Sequence, residues 1–113
     1  MVQARQSIIV SDTSVLINFL RIDRMDLFAH HSHDFIVTDH VAGEITDHYS
    51  EQQARFASAL ENDTIRQISV NDPEALVLFG TLSASGRLGA GECSAIALAV
   101  HNGYILAIED RRA

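Results

Sequence analysis

The sequence predicts an α/β fold, a three-layer sandwich in which a central parallel sheet of about four strands has helices on both faces. Two observations lead to this prediction. Short apolar runs without helical spacing, typical of buried parallel strands, alternate with longer segments whose apolar residues recur every three or four positions. The chain has 113 residues without repeats or low-complexity stretches, so we expect a single domain over residues 1–113.

Four segments have the character of strands. The first two are continuous apolar runs, the third alternates, and the fourth follows a strong helix stop at Asn102-Gly103. In chain order they are SIIVS at 7–11, FIVT at 35–38, TIRQISV at 64–70 and YILAI at 104–108.

Helical patterns fill most of the chain between these strands. Asp72-Pro73-Glu74 is a favourable helix opening, because proline is tolerated in the first turn. The glycines between 83 and 91 indicate a loop. The predicted helices cover residues 14–20, 50–60, 75–82 and 93–101, and a further helix begins at about residue 39.

Composition excludes several classes of protein. No apolar run approaches the roughly 20 residues needed to span a bilayer, and the first run is too short for a signal peptide. We therefore expect a cytoplasmic protein without a membrane association. The single cysteine, Cys93, excludes an internal disulfide and a thiolate metal cluster.

The absence of lysine excludes three rival chemistries. All eight positive residues are arginines. Receiver domains and haloacid-dehalogenase-like phosphatases also place an aspartate after the first strand, but both need a lysine near the phosphoryl group, as P-loop nucleotidases do in their loop. Dinucleotide binding is disfavoured too, because no Gly-x-Gly-x-x-Gly element follows the first strand.

Four carboxylates stand at element boundaries, far apart in sequence. Asp12 ends the first strand, Glu44 lies in the helix after the second, Glu92 opens the alanine-rich helix, and Asp110 follows the fourth strand. Functional groups of parallel sheets collect at the carboxyl ends of the strands. Several carboxylates without nitrogen or sulfur ligands suit Mg²⁺ or Mn²⁺ and not zinc, so the sequence indicates a site for one of these ions.

Each acid also has a purely structural interpretation. Asp12 could cap the following helix, and Glu92 could be favoured by the macrodipole of its own helix. Glu44 could be a solvated helix residue, and Asp110 could be either a turn residue or a surface partner for Arg111 or Arg112. These two arginines could equally contact substrate phosphates. Taken singly, the acids leave both interpretations open.

Four motifs resemble those of PIN domains in order and spacing, over nearly the whole chain. The opening strand and helix carry Asp12, and an apolar strand leading into a helix carries Glu44. A glycine-glutamate step into an alanine-rich helix carries Glu92, and Asp110 stands at the fourth acidic position. The segments are IIVSDTSVLIN at 8–18, VTDHVAGEI at 37–45, GAGECSAIALA at 89–99 and LAIEDRRA at 106–113.

The resemblance implies a PIN-like fold and a ribonuclease in which these four acids hold one or two Mg²⁺ or Mn²⁺ ions. Glu109 is then a possible auxiliary ligand, and Thr13 or Ser14 would position phosphate or a metal-bound water. The small toxins of the family, the VapC-type ribonucleases, usually form homodimers and are neutralised by a cognate antitoxin. Toxin activity on RNA is therefore the expectation, with a housekeeping RNA-processing nuclease as an alternative.

Two features depart from the family pattern. Members usually continue through another helix and a final strand, so the chain, which ends at Ala113, is expected to lack them. The net charge of −7 disfavours broad electrostatic capture of nucleic acid, although bound metal or a basic partner would reverse the sign locally. Both features keep a second interpretation open, a degenerate PIN-like module that acts through protein–protein contacts.

Overall fold

The computed structural model describes residues 7–22 and 33–108. Glu109, Asp110, Arg111 and Arg112, four of the predicted site residues, lie outside the described residues. Within the described part of the chain, no helix is long and apolar enough to cross a membrane.

A four-stranded parallel sheet forms the centre of the described chain. Its spatial order is β3-β2-β1-β4, and each neighbouring pair is parallel. Ile9 of the first strand lies opposite Phe35 on one side and Ile105 on the other. The strands are β1 Ser7–Ser11, β2 His33–Thr38, β3 Arg66–Ile68 and β4 Ile105–Ala107. The predicted α/β fold with a parallel sheet is confirmed.

Five α-helices connect or flank these strands within the described ranges. A 3₁₀ turn, Ser50–Gln52, leads into the third of them. The helices are α1 Thr13–Arg21, α2 Asp39–His48, α3 Gln53–Glu61, α4 Pro73–Ala84 and α5 Ala90–Asn102.

The largest differences from the predicted boundaries are in the loop before α5 and in the third strand. The predicted loop over 83–91 is too long, because α4 continues to Ala84 and α5 already begins at Ala90. Gly91 is therefore helical and buried. The third strand has three residues and not seven, since β3 lies at the sheet edge and pairs only with β2.

The helices begin in two different ways. The side chains of Asp12, Thr38 and Asp72 cap α1, α2 and α4 by accepting backbone N–H groups of the first turn. Helix α5 follows Gly89, which has no side chain to serve as a cap. The first-turn N–H groups of α5 must therefore find their partners outside the capping position.

Residues of the two sheet faces pack into two apolar clusters of different character. One cluster combines large residues of β2 with α1, α2 and α3, including Leu16, Phe35 and Phe56. The other packs Val10 and Ile36 of the sheet against α5, which contributes mainly alanines. Small side chains let a helix backbone approach its neighbours closely. The first turn of α5 can accordingly lie near side chains that extend from other elements.

Candidate active site

Asp12 lies at the carboxyl end of β1, where α1 begins. Its backbone N–H donates to the carbonyl oxygen of Ala107 at 3.1 Å, so the residue stands beside the end of β4. The residue is 4% exposed, and its Oδ1 accepts the backbone N–H of Val15 at 2.9 Å. Asp12 is thus a helix cap, as one interpretation of the sequence expects. Capping fixes the orientation of the carboxylate and does not exclude a second role for it.

The Glu44 carboxylate joins α2 to both α1 and α5. The hydroxyl of Thr13 donates to Oε2 at 2.7 Å, and the backbone N–H of Gly91 donates to Oε1 at 2.9 Å. Thr13 follows Asp12 directly, and Gly91 directly precedes Glu92. One half-buried carboxylate therefore connects the chain neighbours of two other predicted acids, Asp12 and Glu92.

Gly91 leaves just enough room for this carboxylate. A Cβ atom at position 91 would lie 2.6 Å from Oε1 of Glu44, 3.0 Å from its Cδ and 3.0 Å from Oγ1 of Thr13. Any side chain at this position would displace Glu44. The sequence-based interpretation placed Gly91 in a loop and did not recognise this contact.

The amino terminus of α5 carries negative charge from two elements. Glu92 stands in its first turn, and Glu44 reaches the same turn from α2. The exposed N–H groups and the macrodipole at a helix amino terminus favour carboxylates there. This explains how Glu44 stays half-buried without a cationic partner among the described contacts. The same effect favours Glu92 in the first turn of α5, as its structural interpretation expects.

Two buried hydroxyls connect the end of β2 to the first turn of α5. Oγ1 of Thr38, at the end of β2, lies 2.6 Å from Oγ of Ser94 in α5, and both residues are 0% exposed. Ser94 Oγ also contacts the carbonyl oxygen of Gly91 at 2.8 Å. These residues were missed by sequence reasoning. The available signals were the position of Thr38 before a helix and the spacing of three residues between Gly91 and Ser94.

The oxygen chemistry of the site fits a hard divalent cation. Asp12, Glu44 and Glu92 offer carboxylate oxygens, the ligands that Mg²⁺ and Mn²⁺ prefer. An ionised carboxylate has about four lone-pair sites, so the two hydrogen bonds at Glu44 leave acceptor capacity. Within residues 7–22 and 33–108, no three His, Cys, Asp or Glu side chains are gathered closely enough to hold a metal on their own. The fourth predicted acid, Asp110, lies outside these residues.

A second carboxylate of α2, Asp39, lies outside the acid set that the sequence predicts. It is exposed, and it accepts hydrogen bonds from Ser69 and, at 2.7 Å, from Nε2 of Gln67. The bond from Ser69, followed by that from Gln67, holds the pKa of Asp39 below its usual value. Asp39 therefore connects α2 to the β3 side of the sheet and not to α1 or α5.

Comparison with known families matches almost the whole chain. The family model DUF3368, described as a PIN domain, matches residues 8–113. A search of curated proteins finds no match. The matched segment contains all four predicted acids, including Asp110.

Proposed function

The chain belongs to the PIN-domain family, whose members are generally nucleases, and we propose that it is a Mg²⁺- or Mn²⁺-dependent endoribonuclease that hydrolyses RNA phosphodiester bonds. The observation that carries the proposal is the contact of Glu44 with Thr13 and Gly91. It brings α2 to the residues adjoining Asp12 and Glu92. The chain neighbours of Asp12 and Glu92 are thus both hydrogen-bonded to the Glu44 side chain, which supports a shared role for the three acids.

We assign the ligand role to Asp12, Glu44, Glu92 and Asp110, with Glu109 as an auxiliary. When bound, a divalent ion supplies Lewis acidity to the phosphodiester and lowers the pKa of the attacking water. The protein contributes orientation. Val15 fixes the Asp12 carboxylate, and the two hydrogen bonds to Glu44 fix the side chain of that residue, so little ordering is needed when the ion binds.

Four residues are proposed for contacts with the substrate: Thr13, Ser14, Arg111 and Arg112. The arginines supply positive charge that a chain of net charge −7 needs near the phosphates. The only hydroxyl proton of Thr13 points to Glu44, so a donated bond to phosphate would require that contact to open. Thr13 therefore serves the site chiefly through Glu44.

The biological setting that we propose is a toxin–antitoxin pair in the cytoplasm. In this setting the chain is one domain over residues 1–113, acts as a homodimer and is neutralised by a cognate antitoxin. This setting rests on the resemblance of the four motifs to those of PIN domains, whose small toxin members are the VapC-type ribonucleases. A housekeeping RNA-processing role is the alternative, and the growth assay described below distinguishes it from the toxin role.

The nuclease proposal is tested with wild type, Asp12→Asn and Asp47→Asn. Asparagine still caps a helix, so Asp12→Asn removes the charge with little cost to α1, and Asp47 is an exposed control on α2. We expect Mn²⁺-dependent cleavage of RNA that chelation abolishes, a loss of at least about tenfold in Asp12→Asn, and no change in Asp47→Asn. Wild type without Mn²⁺-dependent cleavage and without a thermal shift in Mn²⁺ would instead support a degenerate module.

The toxin role has its own test. Expression of the intact chain should arrest growth, and Asp12→Ala or Glu92→Ala should relieve the arrest. Normal growth with an active nuclease would assign the protein to RNA processing and not to a toxin–antitoxin pair.

A further inference from the structure

We propose that Thr38 and Ser94, here called the hydroxyl pair, are positioning residues that set the first turn of α5 against Glu44. This inference rests on the proposed function, since its consequence is the geometry of the metal-binding acids. Neither residue is an acid, and neither belongs to the set that the sequence predicts.

The hydroxyl pair forms a chain of hydrogen bonds with a defined direction. The backbone N–H of Val41 can only donate, and it does so to Oγ1 of Thr38 at 3.2 Å. The carbonyl of Gly91 can only accept, so Ser94 donates its single proton there at 2.8 Å. Thr38 must then donate to Ser94 across the 2.6 Å contact. The chain runs from α2 through both hydroxyls to the first turn of α5.

Burial gives this chain its rigidity. Thr38 and Ser94 are both 0% exposed, so solvent does not compete for either hydroxyl. Each hydroxyl donates once and accepts once, and loss of one partner would leave a buried polar group unsatisfied. The arrangement therefore resists small displacements of α5 relative to the end of β2.

Gly91 is consequently held from two sides. Ser94 fixes its carbonyl oxygen, and Glu44 accepts its N–H at 2.9 Å. Thr38 connects Ser94, and through it Gly91, to the end of β2, where the helix that carries Glu44 begins. Because the Glu44 carboxylate accepts the Gly91 N–H, a shift of this turn either moves the carboxylate or weakens that hydrogen bond. The hydroxyl pair thus sets the spacing between Glu44 and Glu92.

The main test compares two substitutions of Thr38, one that removes its hydroxyl and one that keeps it. Thr38→Val keeps the shape and removes the hydroxyl, whereas Thr38→Ser keeps the hydroxyl and removes a methyl group. Ser94→Ala breaks the same chain while leaving the bond from Val41 to Thr38 in place. The control is Thr46→Val, because Thr46 is an exposed residue whose hydroxyl donates to the carbonyl oxygen of Ala42 within the same helix.

Two readouts are measured on the full chain. The first is Mn²⁺ affinity, from the electron paramagnetic resonance signal of free Mn²⁺. The second is the chemical shift and hydrogen exchange of the Gly91 amide in metal-free protein. We expect Thr38→Val and Ser94→Ala to weaken Mn²⁺ binding by about 10- to 100-fold and to speed exchange at Gly91, while Thr38→Ser and Thr46→Val stay within about threefold of wild type.

The outcomes separate this inference from the proposed function. Folded Ser94→Ala or Thr38→Val that binds Mn²⁺ like wild type, with an unmoved Gly91 amide, would overturn the positioning role alone. Absence of Mn²⁺ binding in wild type would overturn the proposed function, and the Gly91 amide would then decide the positioning role by itself. If Ser94→Ala fails to fold, the contrast between Thr38→Val and Thr38→Ser gives the decision, and equal values for these two variants count against the inference.

Discussion

Two carboxylates on α2 each accept two hydrogen bonds, yet their surroundings differ. Glu44 is half-buried and joins Thr13 of α1 to Gly91 of α5. Asp39 is exposed and contacts Gln67 and Ser69 on the β3 side. The number of hydrogen bonds therefore does not distinguish the two acids. What distinguishes them is burial, the helix amino terminus beside Glu44, and the absence of spare room there.

The comparison shows that hydrogen bonds to a carboxylate contribute differently to stability depending on how far the carboxylate is buried. Hydrogen bonds to an exposed carboxylate compete with water and are screened, so their net contribution is small. Those to Glu44 are partly shielded, and one of them satisfies an N–H group that α5 leaves without a side-chain cap. The predictions below measure this contrast, starting with the largest expected effect.

Removal of the Thr13 hydroxyl should give the largest loss of stability. Thr13→Val keeps the shape but leaves Oε2 of Glu44 without its charge-assisted hydrogen bond, which corresponds to about 1.5–3 kcal/mol. Thr13→Ser, which keeps the hydroxyl, should lose much less. Urea denaturation measures both, with Thr46→Val as the exposed control. Equal losses for Thr13→Val and Thr46→Val would remove the distinction between buried and exposed contacts.

A methyl group at position 91 should displace Glu44 and thereby weaken the metal site. The atom nearest to the added Cβ lies at the flexible end of the Glu44 side chain, so Gly91→Ala is expected to move that side chain and disturb its hydrogen bonds to Thr13 and Gly91. We expect Mn²⁺ affinity to fall about tenfold, equivalent to about 1.4 kcal/mol. Gly43→Ala is the matched control, because nothing lies within 4 Å of its added Cβ. Unchanged Mn²⁺ affinity in Gly91→Ala would show that the close approach to Glu44 is irrelevant to the site.

Asp39 should give the smallest effect, confined to acid pH. Its folded-state pKa lies below the usual 3.8, so its stabilising contribution is present above that value and is lost as pH falls through the lowered pKa. Because Asp39 is exposed, we expect Asp39→Asn to cost less than about 1 kcal/mol at pH 7. The loss of stability on acidification should be correspondingly shallower in the variant. Urea denaturation at neutral and acid pH checks this, and a cost above that of Thr13→Val would reverse the comparison.

The sequence was sufficient to predict the sheet and the positions of three described acids. Apolar runs mark strands that end directly before Asp12 and before the helix of Glu44, and local patterns determine such boundaries. The contacts between elements were not predictable in this way. Thr13 and Glu44 are 31 positions apart, and Thr38 and Ser94 are 56 apart, so their meeting depends on how the strands stack.

Gly91 illustrates the same limit in a single residue. A glycine near two others indicates a loop when only local spacing is considered. Its actual role depends on a side chain 47 positions away, which needs the space that glycine leaves. The roles of Asp110, Glu109 and the two arginines after them stay predictions, since these residues lie outside the described ranges.

The most direct test of the account compares Glu44→Gln with Asp39→Asn for Mn²⁺ binding. Both substitutions remove one charge from α2 without changing side-chain shape. Glutamine can still accept from Gly91, and its amide can donate to Thr13 once that hydroxyl reverses, so the fold should persist. Electron paramagnetic resonance should show Mn²⁺ affinity reduced at least about tenfold in Glu44→Gln and changed less than about twofold in Asp39→Asn. Equal affinities in the two variants would contradict the assignment of Glu44 to the metal site.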